Sequence, residues 1–423
     1  MLKNKVAIVG LGYVGLPLYL LCNKKKIDVF GYDLDKKKID KLKNNISYNS
    51  DIGSSELKKI KKKNIFNMNE LEGISSRNIV IFCLPTPVKK NNNPDMSYIK
   101  NALSQISKYL GNETIMIIES TVYPGATREI FDEIIKKRLK PKKINYGFSS
   151  ERISPGQTDT KKFKIKYHSI PKVVSANNKK TLKKIGVFYK YLFKKIFFAK
   201  SIEIAEMSKL LENSYRSVNI GLVNEFKMLC DKKKINIHDV ISAASTKPFG
   251  FTAFTPGPGV GGHCIPIDPL FVSWFAKKNN MSADFIELAR KKNLQITNWV
   301  HKKILNLLRN FKKKKKKILL IGAAYKEDVN DYREAPTLKL IKKFNENLNF
   351  IVDYYDPHIP IIEFDKKKYL SIKNLKYISK YDLVILITNH SILPYKKILN
   401  ESKILVDTRG YYKKITRNDL YHF

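Results

Sequence analysis

Cys264 closes a stretch in which Pro256, Gly257, Pro258, Gly259, Val260, Gly261, Gly262 and His263 run together. A thiolate is a strong nucleophile and also a tolerable leaving group, which suits a covalent intermediate that must later be released. Glycines leading to it suit a ligand that approaches the backbone closely. Asp268, four residues on, offers a carboxylate to order water or accept a proton. Taken alone, a single cysteine reads equally well as a small buried hydrophobe. Lys209 and Asn213 are four apart on a helical stretch and so share a face, where both can point at one oxygen. By spacing alone they read as a solvated lysine and a surface amide. A third constellation is Gly10-Leu11-Gly12-Tyr13-Val14-Gly15, between a short apolar strand and an apolar helix. Its first glycine allows a tight turn, its second lets backbone approach a pyrophosphate, and its third lets helix and strand pack closely. The helix start adds N–H groups and a partial positive charge. Asp33 ends the next strand, where a carboxylate accepts from a ribose 2′-hydroxyl and repels a 2′-phosphate, favouring NAD over NADP.

The elements that must carry these residues follow a simple alternation. Strands are expected at Val6–Val9, Asp28–Tyr32, Asn78–Leu84 and Thr114–Glu119. Asp33, Pro85-Thr86-Pro87 and Ser120-Thr121 follow the later three, at carboxyl ends, where open parallel sheets bind ligands. Ile204, Met207, Leu210, Leu211 and Val218 recur at helical spacing from about Ser201 to Lys234. A Gly- and Pro-rich loop runs from Lys247 to Asp268, and Ser282–Leu308 is helical again. A second strand–turn–helix series starts at Lys317–Ile321 and continues through Ile351–Tyr355, Leu383–Ile387 and Ile404–Val406. The fold class is therefore α/β, with two Rossmann-like, doubly wound parallel-sheet domains joined by a central helical region. The expected boundaries are 1–200, 201–310 and 311–423.

Composition narrows the classes. The net charge of +42 suggests a binder of nucleic acid or of an anionic membrane. However, the lysines are spread along most of the chain and lack interleaved stacking aromatics, so a lysine-biased composition explains them and specific nucleic-acid binding is not expected. A basic surface still attracts a diphosphate substrate. The four cysteines form no CxxC pair, so neither a zinc site nor a disulfide framework is expected, and a reducing, cytoplasmic setting fits. Val6–Cys22 imitates a signal peptide after a basic start, but its glycine spacing reads better as strand, turn and helix. No stretch is long enough to suggest membrane insertion.

The chain resembles the UDP-glucose/GDP-mannose dehydrogenase family from end to end. The matching stretches are GLGYVGLP from Gly10, ESTVYPG from Glu119, SKLLENSYRSVNIGLVNE from Ser208, TKPFGF from Thr246, PGPGVGGHCIPIDP from Pro256 and AAYKEDVNDYREAPT from Ala323. The resemblance implies an NAD domain, a central dimerising region and a C-terminal domain for a UDP-sugar. It also implies a four-electron oxidation of the sugar C6 hydroxyl to a carboxylate through a thiohemiacetal and a thioester. By motif match, Cys264 is the nucleophile, Lys209 and Asn213 face the oxyanion, and Thr121 and Asp268 hold water and move protons. Glu151 matches a glutamate near the reacting carbon. Gly10, Gly12, Tyr13, Val14, Gly15, Asp33, Pro85, Thr86, Ser120, Thr121, Lys326 and Arg333 are assigned to the cofactor. Glu151, Arg152, Lys209, Asn213, Phe249, Gly250, Gly261 and Arg409 are assigned to the substrate. The likeness is greatest to the branch acting on UDP-N-acetylglucosamine for surface polysaccharides, with UDP-glucose and the galacto and manno N-acetylhexosamines as alternatives, and two departures look like an N-acetylhexosamine branch. Pro155 stands where UDP-glucose enzymes carry a second glutamate, and Ile267 stands where they carry lysine. Ser150 replaces the usual proline, and a TDH-like turn reads Thr388-Asn389-His390.

Overall fold

Every strand that was expected forms, and each ends close to its expected carboxyl terminus. The computed structural model describes residues 4–49, 51–71, 73–111, 113–138, 144–156, 166–309, 311 and 314–423. The chain divides into two units, one of Met1–Glu212 with Leu270–Met281 and one of Asn213–Pro269 with Ser282–Phe423.

In the first unit the strands are β1 (Lys5–Val9), β2 (Asp28–Asp33), β3 (Ile65–Asn67), β4 (Ile79–Phe82), β5 (Ile115–Ile118), β6 (Asn145–Ser149), β7 (Lys172–Ala176) and β8 (Ile196–Phe198). Among the described residues they form one sheet in the order β3-β2-β1-β4-β5-β6-β7-β8, with only the β6–β7 pair antiparallel. The order reverses direction between β1 and β4, which opens a crevice at their carboxyl ends. β1 is buried on both faces, as a central parallel strand must be. Val6 and Ile8 enter a core with Leu16, Leu18, Tyr19 and Phe188.

The second unit holds β9 (Lys316–Ile321), β10 (Phe350–Tyr355), β11 (Ile361–Phe364), β12 (Lys367–Leu370), β13 (Leu383–Leu386), β14 (Leu405–Asp407) and β15 (Leu420–His422). Five of these make a parallel sheet, β10-β9-β13-β14-β15, and β11 and β12 pair as a hairpin. Alternation along the strands builds two cores. Ile318, Leu320, Leu383 and Ile385 face one, and Leu319, Ile321, Val384 and Leu386 face the other. That division follows from the two-residue period of a strand covered on both sides.

The helix Ile202–Lys232 belongs to the first unit through Glu212 and to the second from Asn213. In the second unit it packs on the helix Asp284–Leu308. Asn293 donates to the Ser217 carbonyl at 2.8 Å, and a Cβ on Gly221 would lie 3.2 Å from the Ala289 carbonyl oxygen. Lys292–Glu225 and Lys303–Asp231 pairs flank that contact at 2.5 and 2.8 Å.

Candidate active site

The glycine turn after β1 is held from three sides. Gly10 has φ +93°, and its N–H donates to the Tyr32 carbonyl at 2.7 Å. A Cβ there would stand 2.5 Å from the Cys83 carbonyl oxygen, and one on Gly15 would stand 1.8 Å from the Gly10 carbonyl oxygen. Both glycines therefore serve the protein's own packing. Gly12 differs, because a Cβ there meets nothing within 4 Å. Open space over a backbone turn, just before the helix Gly15–Lys24, fits a pyrophosphate. Tyr13 and Val14 lie between, half-buried. Asp33 is buried at the end of β2, accepting from Leu11 N–H at 2.8 Å and Asp35 N–H at 2.9 Å. Lys38 lies 3.9 Å from the same carboxylate. These bonds leave acceptor capacity on both oxygens for a ribose hydroxyl, so the residues fit NAD.

Across the switch point, Ser120 Oγ accepts from Leu84 N–H at 3.0 Å and donates to the Leu84 carbonyl at 2.6 Å. This clamps the turn that holds buried Thr86 and exposed Pro85. Thr121 follows, half-buried, in the segment leading to the helix Ala126–Arg138. Glu206 on the long helix receives the Gly125 and Thr127 N–H groups at 2.6 and 2.9 Å, which caps that helix. Burial pushes the Glu206 carboxyl up to about 7.

Glu151 follows β6. Its Oε1 accepts from Arg152 and Ile153 N–H at 2.7 and 2.6 Å, while Oε2 accepts from Lys172 Nζ at 3.1 Å and Tyr167 Oη at 3.3 Å. Burial is the largest single influence and opposes its charge, but the charge and hydrogen bond of Lys172, the Ile153 N–H and the charge of Lys209 together hold it below the usual carboxylate range. Arg152 pairs with Glu212 on the long helix. Lys172 and its second partner Glu119 were not singled out by the sequence. One lysine among many carries no signal, and Glu119 reads only as a strand end and the first residue of a matching stretch, with no role attached.

In the second unit Cys264 is exposed, and its carbonyl accepts the Asp268 N–H at 2.9 Å as the helix Asp268–Lys278 begins. Asp268 is buried, and Asn213 Nδ2 donates to its Oδ2 at 2.5 Å. The side chains of Asn213 and Asp268 thus meet here, and Cys264 lies one backbone turn before Asp268. The room left by the loop's glycines is taken by the chain itself. A Cβ on Gly257 would lie 2.7 Å from Arg409 Nη1, one on Gly259 2.5 Å from Thr297 Oγ1, and one on Gly261 2.7 Å from Tyr325 Cβ. Gly262 N–H donates to the Arg333 carbonyl at 2.8 Å, and the Arg333 guanidinium grips Asp331 at 2.6 and 3.0 Å. Arg409 Nε donates to the Ile387 carbonyl at 2.5 Å, and burial pushes the guanidinium down to about 10. Phe249 and Gly250 line a cavity of about 710 Å³ with Tyr215, Phe226 and Val240.

The second sheet repeats the first turn with different chemistry. Gly322, φ +95°, donates to the Tyr355 carbonyl at 2.8 Å, the counterpart of Gly10 and Tyr32. Asp356, the counterpart of Asp33, accepts from Ala323 and Ala324 N–H at 2.6 and 2.9 Å, and from His358 and Ile359 N–H at 2.8 and 3.1 Å. His390 Nε2 lies 3.0 Å from it, while His390 Nδ1 accepts from Asp328 N–H at 3.0 Å. That bond sets the His390 tautomer and occupies its Nδ1 lone pair, so this imidazole is tied to Asp356 and to the Asp328 backbone with no nitrogen lone pair left to offer a metal ion. Ala324 stands where the first turn has Gly12, and the next helix waits until Pro336. Lys326 is half-buried in the intervening loop. The second turn thus lacks a pyrophosphate cradle and a vacant acid.

Two substitutions separate packing from binding. Gly15→Ala is expected to lower unfolding free energy by roughly 1–3 kcal/mol, whereas Gly12→Ala should stay within about 0.5 kcal/mol of the parent while weakening NAD binding. Urea unfolding and cofactor titration read the two effects. Asp33→Asn should raise the NADP-to-NAD ratio of kcat/KM on the order of tenfold, because a like-charge repulsion is removed.

Over residues 4–192 the chain matches the NAD binding domain of the UDP-glucose/GDP-mannose dehydrogenase family, over 203–295 its central domain, and over 319–414 its UDP binding domain. A UDP-N-acetyl-D-mannosamine dehydrogenase from Methanococcus vannielii is 31% identical, over 96% of this chain and 93% of that protein. A UDP-N-acetyl-D-glucosamine 6-dehydrogenase from Pseudomonas aeruginosa is also 31% identical, over 92% and 90%. The solved structure of a UDP-D-ManNAc dehydrogenase from Pyrococcus horikoshii superposes with a TM-score of 0.85 at 25% identity, over 99% of this chain and 98% of that one. The two glycine turns, one shaped for a dinucleotide and one not, thus belong to an NAD-dependent enzyme of the UDP-glucose/GDP-mannose dehydrogenase family.

Proposed function

We propose that the chain oxidises C6 of a UDP-N-acetylhexosamine to the uronic acid, as a step toward surface polysaccharide. UDP-N-acetyl-D-glucosamine is the first substrate to test, and its manno epimer is the second. The observation that carries this reading is the exposed Cys264 at a helix start, one hydrogen bond from buried Asp268 and two from Asn213. Pro155 and Ile267 favour an N-acetylated sugar over glucose, and named relatives on both epimers are equally identical to the chain.

NAD, held by the turn Gly10–Gly15 and by Asp33, supplies the hydride acceptor for each of two oxidations. The Cys264 thiolate adds to the C6 aldehyde, and the resulting oxyanion faces Lys209 and Asn213. A second hydride leaves the thiohemiacetal carbon to give a thioester. Water adds, the thiolate departs, and Thr121 and Asp268 take up the protons. One sugar, two NAD and one water give one carboxylate, two NADH and three protons. Glu151, already accepting from Lys172, Tyr167 and two backbone N–H groups, is suited to fixed negative charge more than to proton transfer. The UDP moiety belongs on the second sheet beside Arg409, while Lys326 and Arg333, in the adjoining loop, keep the cofactor assignment that the resemblance implies. Tyr215, Leu222, Phe226 and Leu229 are 48–58% exposed on one helix, an apolar face that fits a homodimer. No helix among the described residues is long and apolar enough to cross a membrane.

The test is NADH released per sugar consumed, with UDP-N-acetylglucosamine, its galacto and manno epimers, and UDP-glucose. The expectation is two NADH per sugar on an N-acetylated substrate, with turnover reduced at least about a thousandfold in Cys264→Ala. Oxidation of UDP-glucose alone would overturn the sugar assignment. Full turnover in Cys264→Ala would overturn the covalent route.

A further inference from the structure

Lys172 starts β7 and is buried, and its ammonium serves two carboxylates. It lies 2.9 Å from Glu119 Oε2 and 3.1 Å from Glu151 Oε2. Both acids are buried too, and Glu119 also accepts from Tyr189 Oη. The rings of Phe193 and Tyr189 stand 5.3 and 5.7 Å from Nζ, so the cation is walled by aromatic faces and carboxylates. These residues come from separate places in the chain: Glu119 follows β5, Glu151 follows β6, and Lys172 opens β7, the strand that runs against β6. An antiparallel neighbour brings its first residue to the carboxyl ends of its parallel partners, which puts a lysine where ligand-facing acids lie.

A buried ion cluster of this kind adds little net stability, because desolvation offsets attraction. Its effect is specific to geometry and charge. Two buried carboxylates that share one cation cannot both stay ionised once the cation is removed. We propose that Lys172 is a positioning residue for Glu151: by bridging Glu119 and Glu151 it keeps the Glu151 carboxylate charged and its Oε2 turned inward, so that the turn Glu151–Ile153 presents a fixed negative charge to the reaction. The inference rests on Glu151 serving that reaction, as proposed above.

The groups facing Glu151 are Lys172, Lys209, Tyr167 and Glu119, with Cys83 and Tyr189 behind Glu119. Burial raises Tyr167, Tyr189 and Cys83, which leaves all three neutral in the working range. The charges that matter are therefore Glu119, Lys172 and Lys209. Removing Lys172 raises the pH below which Glu151 takes a proton, and activity that needs its carboxylate falls away as pH drops through that value.

The experiment is the pH profile of kcat/KM, on whichever UDP-N-acetylhexosamine the enzyme oxidises, for the parent, Glu119→Gln, Lys172→Met, the double variant, and Lys172→Arg. The acid limb should lie lowest in Glu119→Gln, slightly higher in the parent, and highest in the double variant and Lys172→Met, at least about one pH unit above the parent, because without the cation Glu119 takes a proton first and then resembles glutamine. Lys172→Arg should stay near the parent. If Lys172→Met does not fold, the rise from Glu119→Gln to the double variant carries the test, because the double variant loses one buried charge of each sign. An acid limb that does not move across the series, whatever the loss of rate, overturns the proposal and leaves Lys172 a packing residue. Full activity in Glu151→Gln overturns the role of Glu151 itself, and the positioning role with it.

Discussion

A carboxylate at the end of the second strand ties down the turn that leaves the first, and this one bond recurs in both sheets. Parallel strands that stop at a crevice leave backbone N–H groups facing inward, and a buried donor without a partner costs roughly 1–3 kcal/mol. Asp33 meets the Leu11 N–H in the first sheet, and Asp356 meets those of Ala323 and Ala324 in the second. The first acid makes two such bonds and keeps acceptor capacity for a ligand. The second takes four backbone N–H groups and sits against His390, so it has become a lock. Divergence of one device thus allots the dinucleotide to one sheet and leaves the crevice of the other for a different ligand.

The loop before Cys264 shows a related economy. Its glycines look, in sequence, like room for a substrate. In the structure the room over Gly257, Gly259 and Gly261 is filled by Arg409, Thr297 and Tyr325. The loop is thereby printed onto the carboxyl edge of the second sheet, and Cys264 and the loops of that sheet belong to one compact unit. A glycine-rich stretch reports close approach, but it does not say whether the visitor is a ligand or the protein.

Much of this was legible. Apolar runs bounded by glycine, proline or acid gave β1, β2, β4, β5, β9, β13 and β14 their places, because inner parallel strands are buried on both faces and read as continuous hydrophobic stretches, while the edge strand β10 showed through its β-branched and aromatic residues. The long helix was visible from its period. The strands that escaped notice are those whose pattern is weak. β6 reads Asn-Tyr-Gly-Phe-Ser, β8 has three residues with two exposed phenylalanines, and the β11–β12 hairpin turns on Asp365 and Lys366, both at positive φ, without the glycine that usually marks such a turn. In the site, residues within motifs were recognisable, whereas Lys172 and Glu206 were not. Their significance lies in long-range pairing, which spacing along a chain does not record.

These pairings share a logic that bears on catalysis. Glu206 gives both oxygens to the N–H groups of Gly125 and Thr127, Glu151 gives one to Arg152 and Ile153, and Asp268 gives one to the Asn213 amide. Each carboxylate therefore has at least one oxygen fixed by a donor that cannot easily swing away. Long side chains such as lysine lose substantial rotamer entropy when they are ordered only by the substrate. A site whose acids are ordered by backbone and amide donors before ligands arrive avoids that cost at the moment of reaction, and reserves its binding energy for charge that develops at the reacting carbon. The buried cation at Lys172 belongs to the same scheme. It adds little to stability, and its contribution is that the Glu151 carboxylate it pairs with is held charged and in place before any ligand arrives.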